Sequence, residues 1–132
     1  MTDRETLFQY RIKQAQETLR DAEAMVKGGM SPRSILNRCY YAMFYAVLGL
    51  FLKTNVNPKT SKHSGIISTF DRIFVFSGKV DKESSKALHK MFNARQEADY
   101  KELVEVSLEE AEDALQTARK FVEEIGKAVS EE

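Results

Sequence analysis

The residues best suited to chemistry in this chain are Arg95 and Asp99, which lie one helical turn apart in a helix-forming segment. The apolar positions around them fall at Leu88, Met91 and Ala98. Helical spacing therefore places both charged side chains on the side that the helix packs against. Removing such charges from water is costly, so the pair is either a structural ion pair or part of a functional site.

Two interpretations of this pair stay open. In the first, an i,i+4 ion pair fixes helix packing or a dimer interface. In the second, Arg95 binds a phosphate group while Asp99 orients its guanidinium, a task that suits a planar and always charged side chain. Tyr100 follows directly and is expected where the helix begins to fray.

Two further residues are candidates for phosphate or nucleotide binding. His63 lies between lysine and serine near a predicted helix start, where the helix dipole favours an anion. The alternative is an ordinary surface or helix-terminal histidine. Arg38 precedes Tyr40 on the predicted central helix, so it either extends to solvent or adds positive charge to the cleft of Arg95.

The sequence predicts no metal site and no cofactor. His89 lies six residues before Arg95, which places it on another helical face and makes it a poor partner for that arginine. Neither His63 nor His89 has a cysteine or carboxylate at ligand spacing. The sequence also has no glycine-rich phosphate loop, nucleophile elbow or zinc signature.

Five helices are predicted to position these residues, because helical periodicity recurs and no segment alternates like a strand. They begin at a capping box of Thr2 and Glu5, at Ser31-Pro32, at Lys62, at the N-cap Asp81, and at a capping box of Ser107 and Glu110. The second is expected to end at Lys53 and the third at Phe74, before a turn over residues 75–79. The pattern predicts an all-α bundle of four main helices plus a short helix.

The apolar stripes of the two outer helices define most of the predicted core outside the central helix. The first stripe contains Phe8, Ile12, Ala15, Leu19, Ala22 and Val26; the last contains Leu108, Ala111, Leu115, Ala118, Val122 and Ile125. From Cys39 onward the second helix is apolar nearly all round, which predicts a central helix contacted on several sides.

Composition is that of one soluble domain over residues 1–132, with 42% hydrophobic and 30% charged residues. The net charge of zero gives no support for a general nucleic-acid binder. Cys39, the only cysteine, is expected to be a small core residue. The apolar run over residues 39–52 is shorter than the roughly 20 residues of a membrane span, and no signal-peptide pattern is present, so we expect a cytoplasmic protein without membrane contact.

Several segments together resemble a HEPN domain, in particular the small stand-alone branch found in bacteria and archaea. They are residues 37–46 (NRCYYAMFYA), 62–65 (KHSG), 95–100 (RQEADY), 109–111 (EEA) and 118–122 (ARKFV). No single segment is diagnostic, but their order and spacing are specific, and the resemblance extends over roughly residues 5–127.

The resemblance implies an up-and-down helical bundle that forms a two-fold homodimer. Family members are often encoded beside a minimal nucleotidyltransferase, with which they form a toxin–antitoxin pair. Many are metal-independent ribonucleases, in which an arginine holds the scissile phosphate and a histidine, separated from it by four to six intervening residues, acts on the attacking 2′-hydroxyl. The arginine of this pattern corresponds to Arg95.

The sequence departs from the family pattern at the histidine, where Tyr100, Lys101 and Glu102 stand instead. The resemblance makes Arg95, Asp99 and Tyr100 the candidate catalytic residues, and Tyr100 a candidate for modification with AMP by the partner enzyme. We expect an RNA- or nucleotide-directed, toxin-like member of a two-gene system with a nucleotidyltransferase. The alternative is a non-catalytic homodimeric module that engages this nucleotidyltransferase, and ribonuclease activity stays open.

Overall fold

A computed structural model describes residues 2–100 and 104–131, and in these ranges the chain is helical with no strand. The helices are α1 (Asp3–Lys27), α2 (Pro32–Lys53), α3 (His63–Phe70), α4 (Lys82–Tyr100) and α5 (Leu108–Ser130). A π-helical turn, Asp71–Val75, continues α3. The predicted all-α bundle of four long helices and a short one is confirmed.

The predicted helix starts are confirmed by their N-cap hydrogen bonds. In each case a side-chain oxygen accepts a hydrogen bond from the backbone N–H three residues later, at 3.1 Å for Thr2, 3.2 Å for Ser31, 2.9 Å for Asp81 and 3.0 Å for Ser107. These bonds satisfy backbone donors that the first helical turn leaves without a partner. Local sequence therefore determines where four of the five helices begin.

The central position of α2 is also confirmed, since α1, α4 and α5 all pack against it. Its fully buried side chains include Ile35, Tyr40, Met43, Val47 and Leu50. By length and composition alone, α2 is the one described helix that could span a membrane, but 67% of its apolar window is buried within the bundle. That burial is typical of a core helix, while the cytoplasmic location stays a prediction.

Two details of the predicted helices are wrong. The third helix does not end at Phe74, because the π-helical turn carries the helical backbone through Val75. Leu108 is 49% exposed although it was assigned to the core, because burial on α5 begins only one turn later, at Ala111. On α1, by contrast, the stripe is extended by a polar residue, Thr18, which is 5% exposed between Ala15 and Ala22.

Cys39 is fully buried on α2, which confirms its prediction as a core residue. Burial raises the pKa of its thiol to about 12, and the positive charge of Arg119 only partly opposes this effect. The thiol therefore stays protonated at neutral pH and is not available as a nucleophile.

The start of α3 is held close to the loop before it. Gly65 has no side chain where a β-carbon would overlap the methyl group of Thr60, so this glycine permits the approach. The hydroxyl of Thr60 also accepts a hydrogen bond from the backbone N–H of Lys62 at 3.1 Å. These contacts fix the first residue of α3, His63, against the central helix.

Candidate functional site

Arg95 on α4 packs against an aromatic surface of α2. Its side chain is only 14% exposed. Its guanidinium carbon lies 5.2 Å from the ring centroid of Tyr40 and 5.4 Å from that of Tyr41. Both distances fall within the range of attractive cation–π contacts. The predicted orientation of Arg95 towards a packed surface is confirmed, and that surface consists of tyrosine rings.

Asp99 binds and orients this guanidinium. Nε of Arg95 donates a hydrogen bond to Oδ2 of Asp99 at 3.0 Å, and the carboxylate side chain is 31% exposed. Burial alone would lower the pKa of Arg95, but the hydrogen bond to Asp99 and the neighbouring tyrosines raise it overall. The guanidinium therefore remains charged, and its two terminal nitrogens are the donors with which it could bind a phosphate.

His63 joins the same cluster from the start of α3. Its Nδ1 lies 2.8 Å from the hydroxyl oxygen of Tyr40, a side chain that is itself fully buried. The imidazole stacks on Phe44 with a centroid distance of 4.0 Å and an interplanar angle of 20°. His63 is thus helix-terminal, as one of the two alternatives proposed, but it is half-buried and packed on α2.

The protonation states of this cluster follow from burial and from the charge of Arg95. Burial raises the pKa of Tyr40 well above its usual range, although Arg95 opposes the shift, so the phenol keeps its proton. Burial and then the charge of Arg95 lower the pKa of His63, which is therefore neutral at pH 7. Because Arg95 can only donate, we assign Nδ1 of His63 as the acceptor of the phenol proton, which places the proton of the neutral imidazole on Nε2.

Arg38 reaches the same aromatic surface from the first half of α2. Its guanidinium carbon lies 5.3 Å from the ring centroid of Tyr41, the ring that also contacts Arg95. One of its terminal nitrogens donates to Oδ1 of Asn37 at 3.1 Å. The structure therefore brings Arg38, Arg95 and His63 together around the two adjacent tyrosines, as the second interpretation of Arg38 required.

Tyr100 differs from the other predicted site residues. It is the last residue of α4, and its side chain is 76% exposed. No hydrogen bond or ring contact joins it to the Arg95 cluster within residues 2–100 and 104–131. Lys101 and Glu102, which stand where the family histidine would be, lie outside the described residues.

Sequence reasoning missed how the cluster is assembled. From the sequence alone, Tyr40 and Phe44 are part of the apolar central helix, and a buried tyrosine hydroxyl there needs only some hydrogen-bond partner. That partner is His63, 23 residues further along the chain on another helix. The one available signal was the combination of a tyrosine in the most buried helix with a histidine at a helix start, and helical spacing cannot connect the two.

His89 lies apart from this cluster, which confirms its assignment to another helical face. Its Nε2 lies 2.6 Å from Oδ2 of Asp71, the first residue of the π-helical turn. Within the described parts of the chain, no group of three or more His, Cys, Asp or Glu side chains is placed to hold a metal ion.

Comparison with known proteins gives a consistent family. Residues 8–128 match the HEPN domain family. The UPF0332 protein of Thermotoga maritima is 38% identical over 131 residues, which cover 99% of this chain and 97% of that protein. Two proteins of Methanocaldococcus jannaschii are also similar. "Putative toxin MJ0605" is 35% identical over 91% of this chain and 87% of its own length, and "Putative toxin MJ0142" is 33% identical over 84% and 74%.

Proposed function

The chain belongs to the HEPN domain family, and we propose that it is a toxin-like member with an RNA-directed role, in which Arg95 binds a phosphate of the RNA. Two similar proteins carry the word toxin in their names, which supports this assignment. We further propose that the protein is one half of a two-gene system with a minimal nucleotidyltransferase and that it acts as a homodimer.

The observation that carries the proposal is the state of Arg95. The side chain is largely buried, charged, supported by two tyrosine rings and oriented by Asp99 through Nε. An apolar residue would pack at this position without the cost of desolvating a charge. A guanidinium that is held in this way keeps its outer edge for a bidentate contact with a phosphate.

Arg38 and His63 would add to the same phosphate site. Arg38 contributes a second positive charge beside Tyr41, and the Nε2–H group of neutral His63 is a hydrogen-bond donor. Cleavage of RNA would require a base for the 2′-hydroxyl, and Nε2 in this tautomer carries a proton already. The proposed role is therefore phosphate binding, and His63 contributes to it as a donor.

The direct test measures binding of a labelled single-stranded RNA to wild type and to Arg95→Ala at one fixed salt concentration. We expect a loss of affinity of roughly tenfold or more, because a charge-assisted bidentate contact is removed. Arg72→Ala is the matched control, since Arg72 is an exposed arginine on the π-helical turn and lies outside the cluster. Equal affinity of wild type and Arg95→Ala would contradict the proposal, and the same samples report whether either protein cleaves the RNA.

A second candidate function is a non-catalytic homodimeric module that engages the nucleotidyltransferase. The observation that favours it is Tyr100, whose exposed ring at the end of α4 is accessible to a partner enzyme. This function predicts a dimer by light scattering and a stable complex with the product of an adjacent nucleotidyltransferase gene. A monomeric protein that forms no such complex would contradict it.

A further inference from the structure

We propose that the surface beside Arg95 continues as a row of alternating arginine and tyrosine contacts that binds the backbone of a single RNA strand. The row consists of Arg38 and Arg95 on Tyr41, then Tyr45, then Arg11 and Tyr10. It rests on the proposed function, because the strand would enter it from the phosphate bound at Arg95.

The contacts in this row are continuous from α4 to α1. The rings of Tyr41 and Tyr45, one turn apart on α2, have centroids 5.8 Å apart. The guanidinium carbon of Arg11 lies 6.0 Å from the centroid of Tyr45 and 5.7 Å from that of Tyr10. The row thus crosses three helices and links guanidinium groups that are far apart in the sequence.

Exposure shows that the row lies at the surface. Tyr41 and Tyr45 are half-buried, in contrast to the fully buried Tyr40 beside them, and Tyr10 is 56% exposed. A guanidinium that lies on an aromatic ring keeps the N–H groups at its edge for other partners. Tyrosine and arginine faces are also the groups on which unpaired bases stack.

Charge favours a polyanion as the occupant of this surface. Between Glu23 and Asp71 the chain has no acidic residue, whereas it has Lys27, Arg33, Arg38, Lys53, Lys59 and Lys62. The carboxylate of Asp99 contacts the row at Arg95 and is already engaged there. The zero net charge of the whole chain therefore conceals a locally basic region.

A groove extends the row beyond Arg11. It has a volume of about 430 Å³, and its lining includes Arg11, Phe44, Lys59, Thr60 and Ser61. Phe44 also stacks on His63, so the groove borders the cluster that contains His63 and Arg95. Hydroxyl groups and a lysine in an open groove are typical phosphate ligands.

The length of the row exceeds one nucleotide. Arg38 and Tyr45 delimit its course along α2, and at the rise of an α-helix these residues lie about 10 Å apart. An extended strand would therefore contact Arg11 only when it is several nucleotides long. Arg95, at the proposed phosphate site, would contact a short RNA and a long RNA alike.

This difference in length provides the test. Affinities for a dinucleotide and for an RNA of about ten nucleotides are measured with wild type, Arg95→Ala, Arg11→Gln and Arg20→Gln, at several salt concentrations. Arg20 is an exposed arginine on the same helix as Arg11 and serves as the matched control. Circular dichroism and light scattering report the fold and the mass of each variant.

We expect Arg11→Gln to weaken binding of the long RNA by about three- to tenfold, to reduce the salt dependence by about 0.7 in log–log slope, and to leave dinucleotide affinity unchanged. If Arg11→Gln binds the long RNA as tightly as Arg20→Gln does, the row is not an RNA surface. A change in mass of Arg11→Gln would assign this face to a second copy of the chain and overturn the proposal. Failure of the proposed function is a separate result, namely unchanged binding in Arg95→Ala.

Discussion

The two histidines of the protein border the same short helical segment at opposite ends, yet their surroundings are opposite in chemistry. His63 begins α3, stacks on Phe44 and is hydrogen-bonded to a buried phenol, with the cation Arg95 nearby. His89 projects from α4 towards the π-helical turn that ends the segment. Its side chain is 49% exposed and lies 2.6 Å from the carboxylate of Asp71.

The second cluster contains the residue types of a nucleophilic triad but not its order. Ser85 donates to Oδ1 of Asp71 at 2.6 Å, and His89 contacts Oδ2 of the same carboxylate. A triad requires the histidine between the serine and the acid, so that it can take the proton of the serine. Here the acid lies in the middle, and the three side chains link α4 to the π-helical turn.

The comparison shows that environment, and not residue type, separates a candidate site from a structural contact. At His89 the carboxylate of Asp71 has both oxygens bonded, so the cluster is satisfied internally. In the His63 cluster, the groups at the ends of the hydrogen-bonded chain are donors, namely Nε2–H of the imidazole and the terminal N–H groups of the Arg95 guanidinium. Only the cluster around His63 offers groups to an outside anion.

The largest expected effect that separates the clusters is on stability. Tyr40→Ala removes a fully buried ring that contacts Phe44, His63, Phe92 and Arg95, and we expect a loss of about 3–5 kcal/mol of unfolding free energy. Chemical denaturation followed by circular dichroism measures the change.

The matched change in the other cluster is His89→Ala. We expect it to cost less than about 1 kcal/mol, because the side chain is half exposed and its carboxylate partner can be hydrated. Similar losses in the two variants would show that both clusters are equally part of the core and would contradict the comparison.

A smaller effect is expected when only a hydroxyl is deleted from each cluster. Tyr40→Phe keeps the ring but leaves Nδ1 of His63 without its donor, which should cost about 1–2 kcal/mol. Ser85→Ala should cost less, since the side chain of Asp71 is 25% exposed and water can replace the lost donor. Urea denaturation of both variants gives the two values, and an equal or larger loss in Ser85→Ala would be evidence against this difference in solvation.

The sequence predicts most of the fold but only part of this comparison. Helix starts follow from local patterns such as the Ser107 capping box, and the central helix follows from its continuous apolar composition. The orientation of Arg95 towards a packed surface also follows from periodicity. These features depend on residues within about one helical turn of each other, where spacing determines geometry.

The remainder could not be predicted because it depends on contacts between helices. The pairing of Tyr40 with His63 requires the loop after α2 to return α3 onto that helix, and the pairing of His89 with Asp71 requires α4 to pack beside the π-helical turn. Neither position is encoded in a local spacing. The row from Tyr41 to Arg11 could likewise not be predicted from local spacing, because it crosses from one helix to another.

The pH dependence of stability provides a third way to compare the two histidines. Because the pKa of His63 is lowered in the folded protein, first by burial and then by Arg95, the unfolded chain takes up this proton more readily. Stability should therefore decrease as the pH falls below the ordinary histidine value of 6.5, and this contribution is absent at higher pH. Urea midpoints measured from about pH 8 to about pH 5 reveal the slope.

The variants His63→Gln and His89→Gln assign this slope to one histidine. His63→Gln should flatten the acid side of the profile, whatever its effect on absolute stability. His89→Gln should leave the contribution of His63 in place, because Asp71 and Ser85 lie in the other cluster. If the slope is unchanged in His63→Gln, the imidazole does not differ in proton affinity between the folded and unfolded states.

The smallest expected effect concerns the carboxylate at the centre of the second cluster. Asp71→Asn keeps the size of the side chain but removes the charge that faces His89, and we expect a loss below about 1 kcal/mol at low salt, since the pair is partly exposed. The contact is ionic when His89 is protonated, and under that condition added salt should reduce the difference between wild type and variant, because an exposed ion pair is screened. Thermal unfolding at low and high salt measures both values.

The control variant is Glu17→Gln, since the ion pair of Glu17 with Lys13 is exposed and lies on α1, away from both clusters. Asp81→Asn is unsuitable as a control because Asp81 caps α4. A large loss in Asp71→Asn that does not respond to salt would mean that the Asp71 cluster is buried in solution, and the contrast with the His63 cluster would then be wrong.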